Sequence, residues 1–503
     1  MRVKRWDSLR MRMRGHVRLI TPFSGATIRP FAKTIENVVS GLKERVYYID
    51  DKGTIKPECF RSGGDLYGLV DDVAVQVGSS NRVTSAEFIA SRAGSKRHMY
   101  ERARQDLYMN PTTLSNLAKL GFFTKYENTM WEKKQVPRII SPRDPRFNLL
   151  LGRYTTVVEH KIFDGLQACL GSPGPVVAKG LTQQQKGQLI ASKLQPGWAA
   201  VGLDASRFDQ TIGRELLLVE HRLYKALFPG DKLLGKLLKC QLTNFGVARC
   251  RDGSVSANIG PMRCSGDQNT SLGNCIISVL LAKLYADEHN ISDFDVLCDG
   301  DDLIMFVPQC CLPLLDDLSD WYLEWGLRMK IETPAFVPEE VEFCQSKPVW
   351  TELGYILVRN PRKVLNTAFA GGCHLLDDRM YQVHMRNVGL CGLSTAAGVP
   401  ILQAYFGWAV DNGITGKFDY RDLAGYGHQY RIQLAAGHRA VRAEVHPATR
   451  ASFALAYGLS EHEQLDIEEA IANMVYSRRI NQSVDRDLIP HKLFSFVDCS
   501  RCL

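Results

Sequence analysis

The chain has 503 residues, enough for roughly three domain-sized lobes around a sizeable core, which excludes a small disulfide-stapled scaffold. With 45% hydrophobic and 23% charged residues, 41 Gly and 21 Pro, the composition also excludes collagen-like and wholly disordered classes. The net charge of +8 decides little as a total, but residues 1–33 and residues 91–153 each carry a surplus of eight positive charges; two basic tracts on a slightly acidic remainder fit a polyanion-binding footprint.

Three readings suit the Arg-rich opening, residues 1–33: an RNA-binding arm, a targeting segment, or a solvated tail. The first 90 residues, broken by Gly63-Gly64, are predicted to form a loosely structured extension. From about Glu87 the pattern turns helical, with Tyr100, Ala103, Leu107 and Tyr108 on one face, and stops at Asn110-Pro111. Residues 132–147, EKKQVPRIISPRDPRF, hold three prolines and read as an extended cationic arm and not a helix. An apolar β-like run over 199–203 ends at Asp204, and Asp209 follows five residues on. Leucines at helical spacing over 213–242, interrupted by Pro229-Gly230, predict an αα pair. Within it GDKLLGK, 230–236, matches the start of a phosphate-binding loop, but Leu237 stands where a Ser or Thr would hold magnesium, so that reading is set aside.

Two further strings follow. In CSGDQNTSLGNC, Ser265-Gly266, Thr270 and Asn274 lead into an apolar helix, with Gly266 as a pivot at its start. In FDVLCDGDDLIMFV, two strand-like runs flank a tight Gly300-Asp301-Asp302 turn, preceded by Asp299. Such crowded carboxylates are costly to hold unless a cation neutralises them. The last 150 residues read as mainly helical, ending in an acidic amphipathic stretch, 460–478, with Leu465, Ile467, Ala470, Ile471 and Met474 on one face. The 14 cysteines are scattered and follow no apolar signal segment, which favours a reducing, intracellular setting. The CxxC at Cys499 and Cys502 has no second ligand pair and is a weak metal motif. No apolar run reaches the roughly 18–20 residues of a membrane span.

Nucleic acid extension is an in-line phosphoryl displacement, and two divalent ions about 3.5–4 Å apart stabilise its attacking and leaving oxygens. Hard cations want carboxylate oxygens from separate rigid elements. Asp204 and Asp301 meet that need if their strands are neighbours, with Asp302 as a supporting ligand. Asp209, Asn274 and Thr270 suit recognition of a ribose 2′-OH. The 132–147 arm supplies cations for a triphosphate, and Lys330 is a candidate general acid for the leaving pyrophosphate.

In this order the strings resemble motifs A, B and C of viral RNA-dependent RNA polymerases. RFDQ, SGDQNTSLGNC, PRIISPRDPRFNLLLGRY and EFCQSKPV are more narrowly similar to the polymerases of tombusvirus-like positive-strand RNA viruses, over roughly residues 88–480. The resemblance implies an α+β right-hand fold with an antiparallel palm sheet and a mainly helical thumb. Its implied divisions are an N-terminal extension (1–87), fingers (88–198), motif A palm (199–213), a fingers insertion (214–257), palm motifs B to E (258–350), thumb (351–480) and a C-terminal tail (481–503). It implies RNA-directed RNA polymerase activity with two Mg²⁺ or Mn²⁺ ions held by Asp204, Asp301 and Asp302, and Lys330 as the motif D lysine. Asp209 and Asn274 would sense the ribose, with Ser265, Gly266 and Thr270 in a mobile loop. Lys134, Arg138 and Arg143 would meet the triphosphate, with Lys125 in the adjoining strand. Phe343, Cys344 and Gln345 would form motif E at the growing 3′ end.

The implied partners are RNA template and product, NTPs, an auxiliary viral replication protein and a host membrane, in host-cytoplasmic replication complexes reached through a partner. Asp299 and Leu303 flank Gly300-Asp301-Asp302 where many relatives carry Asn and Cys. Two rivals make distinct predictions: a reverse transcriptase would not pair Asp209 with Asn274, and a non-catalytic RNA-binding scaffold would tolerate Asp301→Ala.

Overall fold

Four antiparallel strands occupy the middle of the molecule in the order Met329–Ile331, Trp198–Ala205, Asp302–Pro308, Asp295–Asp299. The computed structural model describes residues 1–6, 13–25, 31–47, 56–125, 136–417 and 426–484. Val201, Leu203, Met305 and Val307 alternate along the two central strands and are buried against helices, while Ala200, Ile304 and Phe306 on the other face are buried in a second apolar cluster, so the sheet is covered on both faces. The long helices Pro145–Leu170 and Thr270–Glu288 pack in this core. Thr270–Glu288 is apolar on almost every side, and residues 275–282 are all buried, so it runs through the interior.

The predicted αα pair is present as Arg214–Leu227 and Lys232–Gln241. Asp231 caps the second helix by accepting from the Leu233 and Leu234 amides, so GDKLLGK is a turn and helix start. A second sheet has the order Arg2–Arg5, Gly253–Asn258, Phe245–Arg249, Leu120–Gly121. Beyond the hairpin Ser346–Thr351 and Gly354–Arg359, a mostly helical lobe includes Asp378–Ala396, Leu402–Asn412, Pro447–Tyr457 and Glu461–Ala472, with its own apolar core.

Several expectations are corrected. The first 90 residues are not loose where described: they contain helices Ile35–Gly41, Tyr67–Val77 and Ser85–Ala90. Strand Met13–Leu19 lies between Gly371–Gly372 and Arg478–Val484, inside the helical lobe's core. A solvated tail is therefore excluded for residues 13–19, whose Val17 is fully buried; residues 7–12 and 26–30 lie outside the described set. In the 132–147 arm, residues 136–144 are extended or loop, but Asp144 caps a helix that starts at Pro145, because proline is tolerated in a first helical turn. Tyr108 and Leu465, both assigned to apolar faces, are 80% and 46% exposed. Lys134, Cys499 and Cys502 lie outside the described residues. Among the described residues no helix is long and apolar enough to cross a membrane.

Candidate active site

Strand register assembles the acidic groups. Asp302 faces Asp204 on one side and Asp299 on the other, and Lys330 faces Asp204 from the outer strand. Directly opposed residues share a sheet face, so Lys330, Asp204, Asp302 and Asp299 form one row across four strands. Asp301 sits in the two-residue turn at the end of the central hairpin. Helix Thr270–Glu288 braces that turn: the Ser278 hydroxyl donates to the Gly300 carbonyl at 2.8 Å, and the Gly300 amide donates to Cys275 Sγ at 3.3 Å.

A cavity of about 760 Å³ opens above this row, with Asp204, Asp209, Asp299 and Asp301 in its wall, faced by Lys125, Arg138, Arg45 and Arg207. Lys125 and Arg138 arrive on paired extended segments, the Lys125 amide donating to the Arg138 carbonyl at 2.8 Å. Arg143 does not line this cavity. It is 3% exposed and donates to Asp267 (2.7 Å), to Asn244 Oδ1 (2.6 Å) and to the Ala118 carbonyl (2.7 Å). Its charge is spent on holding the 264–269 loop.

Asp209 accepts from the Ser265 hydroxyl and, at 2.8 Å, from the Asn274 amide. Asn274 in turn accepts from Arg263 Nε at 3.0 Å, and Arg263 pairs with Glu220 at 2.5 Å, both side chains almost wholly buried. Glu220 accepts from Asn269, which accepts from Gln241, which also donates to Asp267. A continuous buried polar chain thus runs from Asp209 through Asn274, Arg263, Glu220, Asn269, Gln241 and Asp267 to Arg143, which fixes the amide orientation at Asn274. Thr270 ties its hydroxyl to the Cys264 carbonyl at 3.0 Å. Gly266 has φ +116°, which favours glycine, and a Cβ there would lie 3.1 Å from the Pro142 nitrogen, a tight contact that adds to the strain of any side chain.

Burial, reinforced by Asp301, pushes the Asp302 carboxyl up to about 6; a hydrogen bond from the Cys344 thiol opposes that rise. Asp301 is also pushed up, chiefly by burial, with Asp209 and Asp204 adding and Arg138 opposing. Asp301 is open to solvent on its cavity side, with protein around its other sides. Lys330 is exposed and bonded to Glu332 at 2.5 Å, which holds its proton more firmly. Phe343 is buried, and its main chain closes a turn onto Ser346 with bonds of 2.9 and 3.0 Å. Cys344 and Gln345, the two turn residues, have φ +51° and +57°. Left-handed conformations at two successive non-glycine residues carry strain.

The donor set around Asp204, Asp301 and Asp302 is all carboxylate oxygen, which suits Mg²⁺ or Mn²⁺. Burial first, and neighbouring carboxylates second, disfavour the ionised forms of Asp301 and Asp302, a cost that a bound divalent cation would offset. Among the described residues no three Asp, Glu, His or Cys side chains already form a closed coordination cluster.

The residues that motif reading missed are Arg263, Glu220, Asn269, Gln241, Arg45 and Lys186. Glu220 had a signal: it lies between Leu216 and Leu223 on the apolar face of its helix, and a charge there demands a buried partner. The others carry no local pattern.

The sequence matches the family model described as viral RNA dependent RNA polymerase over residues 2–479, so the match takes in the N-terminal segment that the motifs alone left out. Three curated relatives named RNA-directed RNA polymerase illustrate the likeness. That of tobacco necrosis virus (strain A) is 34% identical over 456 residues, covering 87% of this chain and 60% of the relative. The tomato bushy stunt virus (strain Cherry) protein is 33% identical over 454 residues, covering 87% and 53%. The maize chlorotic mottle virus protein is 33% identical over 443 residues, covering 86% and 45%. The chain thus spans about half the length of these relatives. With the family match running almost from end to end, and Asp204, Asp301 and the Asp209–Asn274 pair meeting at one cavity, the chain belongs to the viral RNA-dependent RNA polymerase family, among the tombusvirus-like sequences.

Proposed function

We propose that this chain is the catalytic part of an RNA-templated RNA polymerase that transfers ribonucleoside monophosphates from NTPs to an RNA 3′ end during copying of a positive-strand genome. The observation that carries this reading is the meeting, at one cavity, of Asp204 and Asp301 with the hydrogen-bonded Asp209–Asn274 pair. In this reading the central sheet is the palm, residues 88–198 and 214–257 belong to the fingers, and 351–480 form the thumb.

Asp204, Asp301 and Asp302 would hold two Mg²⁺ or Mn²⁺ ions, whose contribution when bound is to stabilise the attacking 3′ oxygen and the leaving pyrophosphate. Asp209 and Asn274 orient toward the ribose 2′-OH, and the Arg263–Glu220 pair keeps Asn274 in register. Lys125 and Arg138 attract the triphosphate, while Arg143 acts indirectly by fixing Asp267. Lys330 is placed one strand from Asp204 to release a proton to pyrophosphate, which requires it to leave Glu332. Cys344 and Gln345 present a rigid turn toward the growing 3′ end.

The test is template-dependent incorporation by the purified chain with Mg²⁺ or Mn²⁺. Asp301→Ala should abolish incorporation while RNA binding persists; full activity in that variant overturns the proposal. Equal use of ribo- and deoxyribonucleotides would instead favour a reverse transcriptase and remove the ribose-sensing role of Asp209 and Asn274.

A further inference from the structure

The acidic row contains one carboxylate that already has a cation. Lys186 is 4% exposed, and its ammonium lies 2.7 Å from Asp299 Oδ2. Asp299 lines the cavity and stands directly across the hairpin from Asp302.

Lys186 is held there by an unusually well-fixed helix, Gln183–Lys193. Thr182 and Gln185 close a capping box at its start. Gln184 and Gln188 both donate to the Leu353 carbonyl, at 2.8 and 3.1 Å. A Cβ on the neighbouring Gly187 would meet the Ile356 backbone at 2.7 Å, so this helix can lie directly on the hairpin only because that residue is glycine. The same hairpin begins at the strained Cys344–Gln345 turn, whose Cys344 thiol lies beside Asp302. The ammonium and the thiol are thereby anchored to one rigid unit, one addressing Asp299 and the other Asp302.

We propose that Lys186 is a positioning residue that neutralises Asp299, keeping this fourth carboxylate out of the metal-ligand set and leaving divalent cations to Asp204, Asp301 and Asp302. This rests on the polymerase reading of the same cavity. A mobile ion would otherwise be shared among four carboxylates, with several near-equivalent positions and no single productive one. A fixed ammonium removes that choice without competing for the ligand oxygens of the other three. It also accounts for an aspartate being tolerated immediately before the Gly300-Asp301-Asp302 turn.

The test is a charge cycle measured as Mn²⁺ affinity of the metal-free full chain, by titration calorimetry, with half-saturating Mg²⁺ for incorporation as a second readout. Lys186→Met should tighten Mn²⁺ binding and Asp299→Asn should weaken it, each by about three- to tenfold, the size expected for one unit charge several ångströms away in a partly screened site. The double variant should return to within about twofold of the parent, since it again carries no net charge at that pair. Lys186→Arg, which keeps the charge, should stay near the parent. Should Lys186→Met fail to fold, the same sign is read by comparing Asp299→Asn with the double variant, which must bind Mn²⁺ more tightly. An unchanged affinity in Lys186→Met, or losses of the same sign in both single variants with no recovery in the double, overturns the proposal. An Asp301→Ala control separates the two levels: if it binds Mn²⁺ and incorporates like the parent, the polymerase reading falls. If it is inactive and the cycle shows no cancellation, only the role of Lys186 falls.

Discussion

Replacing Asp302 by asparagine should make the metal-free protein more stable, although it damages the site. Burial and the neighbouring Asp301 carboxylate raise the Asp302 carboxyl from 3.8 to about 6. A group raised in the folded state contributes stability below its unfolded value, and that contribution is lost as pH climbs through the folded value. At about 1.36 kcal/mol per unit, the penalty of ionising Asp302 reaches about 3 kcal/mol above pH 7, as an upper bound for a part-exposed side chain. With an unfolding entropy of about 2.1 cal/mol/K per residue, that is about 3 °C in the melting temperature of a chain this long. The assay is thermal unfolding of parent and Asp302→Asn in excess chelator between pH 4 and 8. The two should coincide near pH 4, diverge between about pH 4 and 6, and stay apart above. Adding Mg²⁺ should largely close the gap, because the parent, with all three carboxylates, regains more binding energy than the variant, about 2.7 kcal/mol at a hundredfold excess over Kd. A difference that does not change with pH, or a variant less stable than the parent at pH 8 in chelator, refutes the reasoning.

Two further outcomes follow from the loop and helix beside that row. Arg263→Met strands the buried Glu220 carboxylate and unfastens Asn274, so it should cost about 3–5 kcal/mol, read by chemical denaturation, and lower ribo-over-deoxyribonucleotide discrimination about tenfold. Gly266→Ala forces a side chain onto a φ of +116° beside Pro142; a loss of about 1–3 kcal/mol is expected, with slower incorporation and unchanged RNA affinity by filter binding.

The acidic centre was legible in the sequence because its geometry is local. Asp204 lies near the end of a strand-like run, Asp301 sits in a two-residue turn between two such runs and Asp302 opens the second, so only the adjacency of the strands remained open, and register supplied it. Asp209 and Asn274 were singled out by their polar chemistry and by the resemblance to motifs A and B, and the structure joins them by a hydrogen bond. Arg143 was misplaced because a cation between prolines looks exposed in sequence, whereas its partners Asn244 and Asp267 lie about a hundred residues away. Lys186 carries no pattern at all, since its meaning depends on Asp299 across the fold. The N-terminal segment was misjudged for two reasons. Leu66, Val70 and Val73 do have helical spacing in a short run, but strand Met13–Leu19 is completed by residues from the other end of the chain.

That last pairing sets a timetable. Val17 faces Ile480 in a seven-residue ladder, so the strand must wait for its partner while the residues between them are made. At about 5–20 residues per second the delay is on the order of half a minute or more. Meanwhile the strand has both edges unfilled, with Val17 and Leu19 lacking their core, a hazard that chaperones would have to cover. The helical lobe's core includes Val17 and Leu19 and is therefore incomplete until strand Arg478–Val484 emerges. A truncated translation product would lack that closure, so the ladder works as a check that the chain has been made through to residue 484 before the fold locks.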